Sequence, residues 1–312
     1  MTWWEAMILG IVQGLTEFFP VSSSGHLVLG QDLLGLQIPG ITFDIVVHVA
    51  TLISVTIVYR NKLWSIFRGI FGGPEAGAAR TYAALIVLAS VPAVIVGFTL
   101  RDFFEARFDD PIFAATMILV TGCVVWSSRW AMGVRQMGPM ELIGPVLAAL
   151  ISVIAGTIWP FLFVLALEAT VFTIARRTRR PGPPRGEVGW IGALLMGLGQ
   201  AIAIFPGITR SGSTVLAGLW RGIDPVKAAE FSFIMSIPVI LGAAILDVPG
   251  ALRAEGLAVS GTAITVGFVA AMLAGIVAIK FFVALLRTQN FHVFAYYCWA
   301  AAGLYLIVPV LT

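Results

Sequence analysis

The chain has 312 residues, 59% of them hydrophobic and only 11% charged, where a soluble domain carries about 25% charged residues. A water-soluble fold of this length cannot bury so much apolar surface, so the composition excludes the soluble globular classes and leaves an all-α polytopic membrane protein. The net charge of +3 points to no nucleic-acid partner, and in a membrane protein the placement of Lys and Arg says more than their sum.

No Lys or Arg precedes Arg60, so a cleaved secretory signal, which needs a basic leader, is not expected. The N-terminus is read as part of the mature chain. Residues 6–35 are apolar but broken by Glu17, Pro20, Ser22, Ser23, Ser24, Gly25 and His26. Each arm is short of the roughly 20 residues that a span needs, so the segment reads as a re-entrant hairpin. Plain spans follow at 41–59, 82–100, 111–126, 142–158 and 160–175. A second broken segment, 189–222, is interrupted by Pro206, Gly207, Thr209, Arg210, Ser211 and Gly212 and reads as another hairpin. Spans at 228–246, 261–280 and 291–310 complete the chain, about eight in all. Asp110-Pro111 and Asp224-Pro225 look like helix starts, with Asp as cap and Pro at the first helical position. Cys123 and Cys298 lie in apolar runs and read as core residues.

Loop charge orients the spans. All basic residues except Arg101, Arg107, Arg253 and the embedded Arg210 can lie on one side, which the positive-inside rule makes cytoplasmic. Span 41–59 then runs inward. The first hairpin enters from outside, and the second, flanked by Arg185 and Arg221, enters from the cytoplasm. Their sequences run parallel: Gln13, Phe18, Ser24 and Gly25 match Gln200, Phe205, Ser211 and Gly212. Similar broken segments entering from opposite faces predict an inverted repeat with its site near the midplane. Residues 1–128 form the first repeat, of one hairpin and three spans, and 187–312 form the second. Residues 141–175 are an extra inserted helix pair. Both termini are expected outside.

Arg210 is the most informative residue. An arginine at bilayer depth costs at least about 3 kcal/mol, so it needs an anionic partner. Guanidinium grips phosphate in a bidentate fork, and Thr209, Ser211, Ser213 and Thr214 surround it with hydroxyls. The set suits a phosphate or pyrophosphate. The competing reading is a helix-breaking turn whose Arg210 pairs with Glu17. In the first hairpin, Ser22, Ser23 and Ser24 offer a nucleophile. His26 can serve as base, acid or nucleophile, and Glu17 can orient His26, act as base or bind a cation. Asp44 and His48 share a helix face, either supporting the site or bonding between helices. Glu168 reads equally as a packing carboxyl or a functional one. Glu230 is explained by its helix dipole, and Arg221 is either a second phosphate contact or an interfacial anchor.

These residues carry a resemblance. Residues 13–26, Gln-Gly-Leu-Thr-Glu-Phe-Phe-Pro-Val-Ser-Ser-Ser-Gly-His, resemble the first signature of the undecaprenyl pyrophosphate phosphatases, also called bacitracin-resistance proteins. Residues 206–214, Pro-Gly-Ile-Thr-Arg-Ser-Gly-Ser-Thr, resemble the second, Pro-Gly-x-Ser-Arg-Ser-Gly-x-Thr. Phe43-Asp44 with His48, Glu230-Phe-Ser-Phe before Ile237-Pro238, and 278–282 are similar too. The resemblance implies removal of the terminal phosphate from a C55 polyprenyl pyrophosphate in the bacterial inner membrane, recycling a cell-wall lipid carrier and conferring bacitracin resistance. It implies Glu17 as the essential acid, Ser23 as nucleophile with His26 as its base or rival, and Arg210 as the pyrophosphate ligand. Thr209, Ser211, Ser22, Ser24, Thr214, Gln13 and Arg221 would complete the substrate contacts. A divalent cation, Mg or Ca, often assists the family, with Glu17 its candidate ligand, and no organic cofactor is expected. Gln13 falls where the family often has Glu, Thr209 replaces Ser, and Cys298 stands where Arg is common. The 142–175 pair has no counterpart in the usual pattern. A homodimer is compatible with the resemblance, and a transporter or flippase for polyprenyl phosphate is the alternative function.

Overall fold

Proline, glycine and capping side chains set where each helix starts and stops. The computed structural model describes all residues except 37–41, 75, 109, 134–142, 180–185, 254–258, 289 and 312, and leaves aside the side chains of 42, 105, 247–253 and 308–311. Arg135, Arg185, the start of span 41–59 and that of 142–158 therefore lie outside the described residues.

The described chain is helical, with a single isolated bridge between Gly186 and Ile223. Helix α1 (Trp3–Phe18) opens on a capping box between Thr2 and Glu5. It ends where Phe19 turns extended before Pro20, a residue that cannot continue a helix. Helix α2 (Ser23–Leu33) returns from the break. Then follow α3 (Thr42–Val58), α4 (Arg60–Phe71), α5 (Ala76–Thr99), α6 (Arg101–Phe108), α7 (Pro111–Trp126) and α8 (Ser128–Ala131). Helices α9 (Ile143–Ile154) and α10 (Ile158–Arg177) follow, with a turn at Gly156 between them. The second hairpin is α11 (Trp190–Ile202) and α12 (Arg210–Arg221), and α13 (Pro225–Arg253), α14 (Gly261–Arg287) and α15 (Val293–Leu311) close the fold. Both expected Asp-Pro starts form: Asp110 Oδ1 accepts from Phe113 N, and Asp224 Oδ1 accepts from Val226 N and Lys227 N.

Five described helices are long and apolar enough to cross a membrane: α5, α7 continued through α8, α10, α13 and α14. Helix α3 bends by 78° into α4. The sequence reading had a basic loop after residue 59. The chain instead stays helical, because Leu63, Trp64, Phe67, Ile70 and Phe71 recur at helical spacing between Arg60, Lys62 and Arg68. Helix α7 is central, with every residue from Phe113 to Trp126 buried. The outer helices turn large apolar side chains outward, among them Val87, Ile95, Phe98, Leu273 and Val277. Exposed Trp3, Trp4, Trp159 and Trp190 sit at helix starts, as aromatic residues do at a membrane interface.

Small residues let two helix pairs touch backbone to backbone. Helix α1 lies on α14, where a Cβ added at Gly10 would come 2.4 Å from the Gly267 carbonyl oxygen. Helix α11 lies on α5, where a Cβ at Gly197 would come 2.4 Å from the Ala89 carbonyl oxygen. Helix α3 packs on α14 and α13, α13 on α5, and α15 on α7.

Candidate active site

The first hairpin is built by a strained turn. Ser22, at φ 73°, is the one described non-glycine residue with positive φ, and its Oγ caps α2 by accepting from Gly25 N at 3.3 Å. The turn starts α2 at Ser23 and brings that side chain back onto the end of α1. Ser23 Oγ donates to Glu17 Oε2 at 2.5 Å. Gln13, one turn earlier on α1, donates Nε2 to the same oxygen at 3.0 Å.

The second hairpin repeats the device. Gly207 takes φ +97° against α7, where a Cβ would lie 2.2 Å from the Ala114 carbonyl oxygen. Only glycine satisfies both conditions. Thr209 caps α12 by accepting from Gly212 N at 3.1 Å, so Arg210 is the first residue of α12 as Ser23 is of α2. Thr121 of α7 fixes the turn from below: its Oγ1 donates to Gly207 O and accepts from Thr209 N.

The hairpin tips touch. Ser211 Oγ donates to Phe19 O at 3.1 Å, Gly207 N donates to Ser24 Oγ at 3.4 Å, and Arg210 Nη2 donates to Glu17 Oε1. Glu17 is 7% exposed, so this buried carboxylate carries Arg210 on one oxygen and Ser23 with Gln13 on the other. His48 Nε2 stands 3.8 Å from Oε2, the oxygen that Ser23 and Gln13 hold. The ion pair is the one the competing sequence reading named. A guanidinium given wholly to structure would fork onto its carboxylate, whereas Arg210 engages it through Nη2 alone. Its buried Nη1 has no protein acceptor among the described residues, which leaves one strong donor for a ligand.

The family model of the bacitracin resistance protein BacA matches residues 6–138 and 130–304, which include both hairpins. The chain belongs to the bacitracin resistance protein BacA family. It is 35% identical over 314 residues to an undecaprenyl-diphosphatase of Parabacteroides distasonis, covering 100% of this chain and 99% of the relative. It is 34% identical to one from Bacteroides thetaiotaomicron, covering 100% of both chains. With one from Rubrobacter xylanophilus it shares 33% identity, covering 96% of each.

Within this BacA-family fold, Glu17, Ser23, Arg210 and Gln13 converge, and Thr209, Ser211, Ser22 and Ser24 line the junction. His26 is not joined to Ser23. Its Nδ1 donates to Ser22 O at 2.7 Å, so Nε2 accepts from Tyr297 Oη at 3.0 Å, and the two rings stack 5.5 Å apart. Thr214 is turned away from the junction, its hydroxyl bonded to Arg210 O and Ser232 Oγ. Arg221 ends the 12-residue α12 that Arg210 begins, about 16 Å along the helix. Asp44 accepts from Gln31, while its neighbour His48 reaches the site. Glu230 pairs with Lys62 at 3.3 Å. Sequence reasoning passed over Tyr297, although it directly precedes Cys298, the position noted for its departure from Arg. It also missed Thr121, a hydroxyl in an apolar run with no local signal.

Proposed function

We propose that this chain is an integral membrane undecaprenyl-diphosphatase, a hydrolase that removes the terminal phosphate of a C55 polyprenyl pyrophosphate. The observation that carries the reading is the junction at Glu17, where a serine hydroxyl and an arginine from the two hairpins meet on one buried carboxylate. The full-length relatives named undecaprenyl-diphosphatase supply the substrate class. Recycling of the lipid carrier for cell-wall synthesis, and bacitracin resistance, follow from that activity.

In this mechanism Ser23 Oγ attacks the terminal phosphorus and passes its proton to Glu17. The anhydride P–O bond breaks, the polyprenyl monophosphate leaves, and a phosphoserine remains. Glu17 hands that proton to the departing monophosphate, then takes one from a water that attacks the phosphoserine, and returns it to Ser23 Oγ as the P–O bond to serine breaks and inorganic phosphate leaves. Arg210 and the N-terminal N–H groups of α12 hold the phosphates and stabilise the charge developing in transfer, while the Thr209 and Ser211 hydroxyls, whose protons go to Ser211 Oγ and Phe19 O, shape the turn that presents them. Ser23 is preferred to His26 as nucleophile, because its hydroxyl faces the carboxylate while both His26 nitrogens have other partners. A divalent cation fits only together with the substrate. Glu17 is a lone carboxylate, and the described residues hold no group of three or more His, Cys, Asp or Glu that could cage an ion. Glu17 would be the residue to hold a magnesium or calcium ion, which would supply charge neutralisation at the phosphates.

The architecture belongs to the same proposal: an inverted repeat of one hairpin and three spans, twice, with the helix pair 141–175 inserted, in the bacterial inner membrane. Exchanging α1, α2, α3, α5 and α7 for α11, α12, α13, α14 and α15 maps the α1–α14 contact onto α11–α5 and the α3–α14 contact onto α13–α5. Gly10 and Gly197 fall at equivalent places in that exchange. The basic loops face the cytoplasm, the termini lie outside, and hydrolysis occurs on the outer side. A carrier of lipid phosphate needs a clamp but no hydroxyl on a carboxylate, so the Ser23–Glu17 pair supports hydrolysis over transport alone. The test is phosphate release by the purified protein from C55 polyprenyl pyrophosphate. Absence of release by well-folded protein, with and without added magnesium or calcium, overturns the assignment.

A further inference from the structure

Glu168 is a fully buried carboxyl on α10, the second helix of the inserted pair. Its Oε1 accepts a hydrogen bond from Ser213 Oγ, and its buried Oε2 has no hydrogen-bond partner among the described residues. Ser213 lies three residues after Arg210 in the first turn of α12. That turn is pinned from every side. Thr209 N donates to Thr121 on α7, Ser211 Oγ to Phe19 O of the first hairpin, and Thr214 shares a hydrogen bond with Ser232 on α13. Glu168 makes the remaining tie, from the helix pair between the two hairpins, to a position that the second signature leaves open.

Packing alone gives no reason for a carboxyl there. Burying one in an apolar setting with a single hydrogen bond is unfavourable, and a leucine would fill similar space without that cost. What the carboxyl adds is direction: it fixes the rotation of the first turn of α12 about its axis, and so the aim of Arg210 one turn earlier on the same face. We propose that Glu168 is a positioning residue. Through Ser213 it holds the clamp turn in the register that presents Arg210 and the N-terminal N–H groups of α12 to the pyrophosphate, which makes the helix pair α9–α10 part of the frame of the site. The inference rests on reading α12 as the phosphate clamp.

The test is steady-state phosphate release from C55 polyprenyl pyrophosphate by purified wild type, Glu168→Leu, Glu168→Gln, Ser213→Ala, the Glu168→Leu/Ser213→Ala double variant and Arg210→Ala, with thermal unfolding measured on each. Glu168→Leu is expected to raise KM about tenfold with a smaller change in kcat. Glu168→Gln, which keeps the acceptor and the shape, should restore KM to within about twofold of wild type. Ser213→Ala should match Glu168→Leu, and the double variant should be no worse than either, because both ends serve one contact. Unchanged KM in Glu168→Leu, or in the double variant if the single one does not insert, overturns the inference even where thermal stability falls. Turnover by Arg210→Ala equal to wild type instead overturns the clamp reading itself, so the two failures are told apart.

Discussion

Ser23 and Arg210 occupy the same position in the two hairpins, and they hold opposite oxygens of one carboxylate. Each is the first residue of the returning helix, behind a hydroxyl cap, Ser22 or Thr209. Ser23 reaches Glu17 Oε2 and Arg210 reaches Glu17 Oε1. One backbone device, used twice, therefore delivers two different chemistries to a single point: a hydroxyl able to attack and a cation able to hold what is attacked. Glu17 has no polar counterpart in the second hairpin, where the corresponding residue is the apolar Ile204. The site is asymmetric in content and symmetric in construction.

Arg210→Ala is expected to lower kcat/KM for polyprenyl pyrophosphate by about 10³-fold or more, the scale on which arginine acts in phosphoryl transfer. Arg210→Lys keeps the charge and loses the planar fork, so it should recover only part of that loss. Phosphate release in detergent, with size-exclusion profiles to check that the variants remain folded, measures both. Normal turnover in Arg210→Ala would remove the clamp from the mechanism.

Ser23→Ala and His26→Ala should separate. Loss of a nucleophile costs at least about 10⁴-fold in kcat. His26 has Tyr297 and Ser22 as partners and does not touch Ser23, so His26→Ala should cost under about 10²-fold, below the usual range for a lost general base. Rapid quenching of wild type with labelled substrate should trap phosphate on Ser23. Phosphate found on His26 instead, or equal losses in the two variants, would reverse the assignment.

What the sequence made legible follows from the range of the forces involved. Asp110 and Asp224 could be read as caps because capping acts over three residues. The hairpins could be read because Pro20, Pro206 and Gly207 break an apolar run locally. Glu17, Ser23 and Arg210 stood out because polar groups at membrane depth need a reason. The partner of His26 was not legible because Tyr297 lies 271 positions away, and proximity to Ser23 in sequence says nothing of where a ring points. Helix α4 was taken for a loop because its charges, read as a cytoplasmic signal, hid a helical apolar spacing. Glu168 carried no sign of its partner, since Ser213 is reached only through packing of α10 on α12.

Gly10→Leu and Gly197→Leu should destabilise the protein by similar amounts, at least about 2–3 kcal/mol each, because each side chain would enter the carbonyl surface of a neighbouring helix. Neither glycine touches the Ser23–Glu17–Arg210 junction, so specific activity of the folded fraction should fall less than stability does. Thermal unfolding in detergent reads the first effect and phosphate release the second. A large drop for one variant and none for the other would break the correspondence between α1–α14 and α11–α5.

The proposed orientation is open to a direct chemical test, because both native cysteines are buried. An added cysteine is then the one thiol that a bulky reagent can reach. Asp102→Cys, on exposed α6, lies on the side that carries few basic residues, and Thr178→Cys, at the exposed end of α10, lies beside Arg176 and Arg177. By the positive-inside rule a membrane-impermeant maleimide applied to intact cells should label Asp102→Cys and spare Thr178→Cys until the membrane is opened. The reverse pattern would invert the molecule and move the Glu17 junction's access to the cytoplasmic side. Labelling of both from outside would mean that α10 does not return to the cytoplasm, which would displace the inserted pair and the Glu168–Ser213 contact with it.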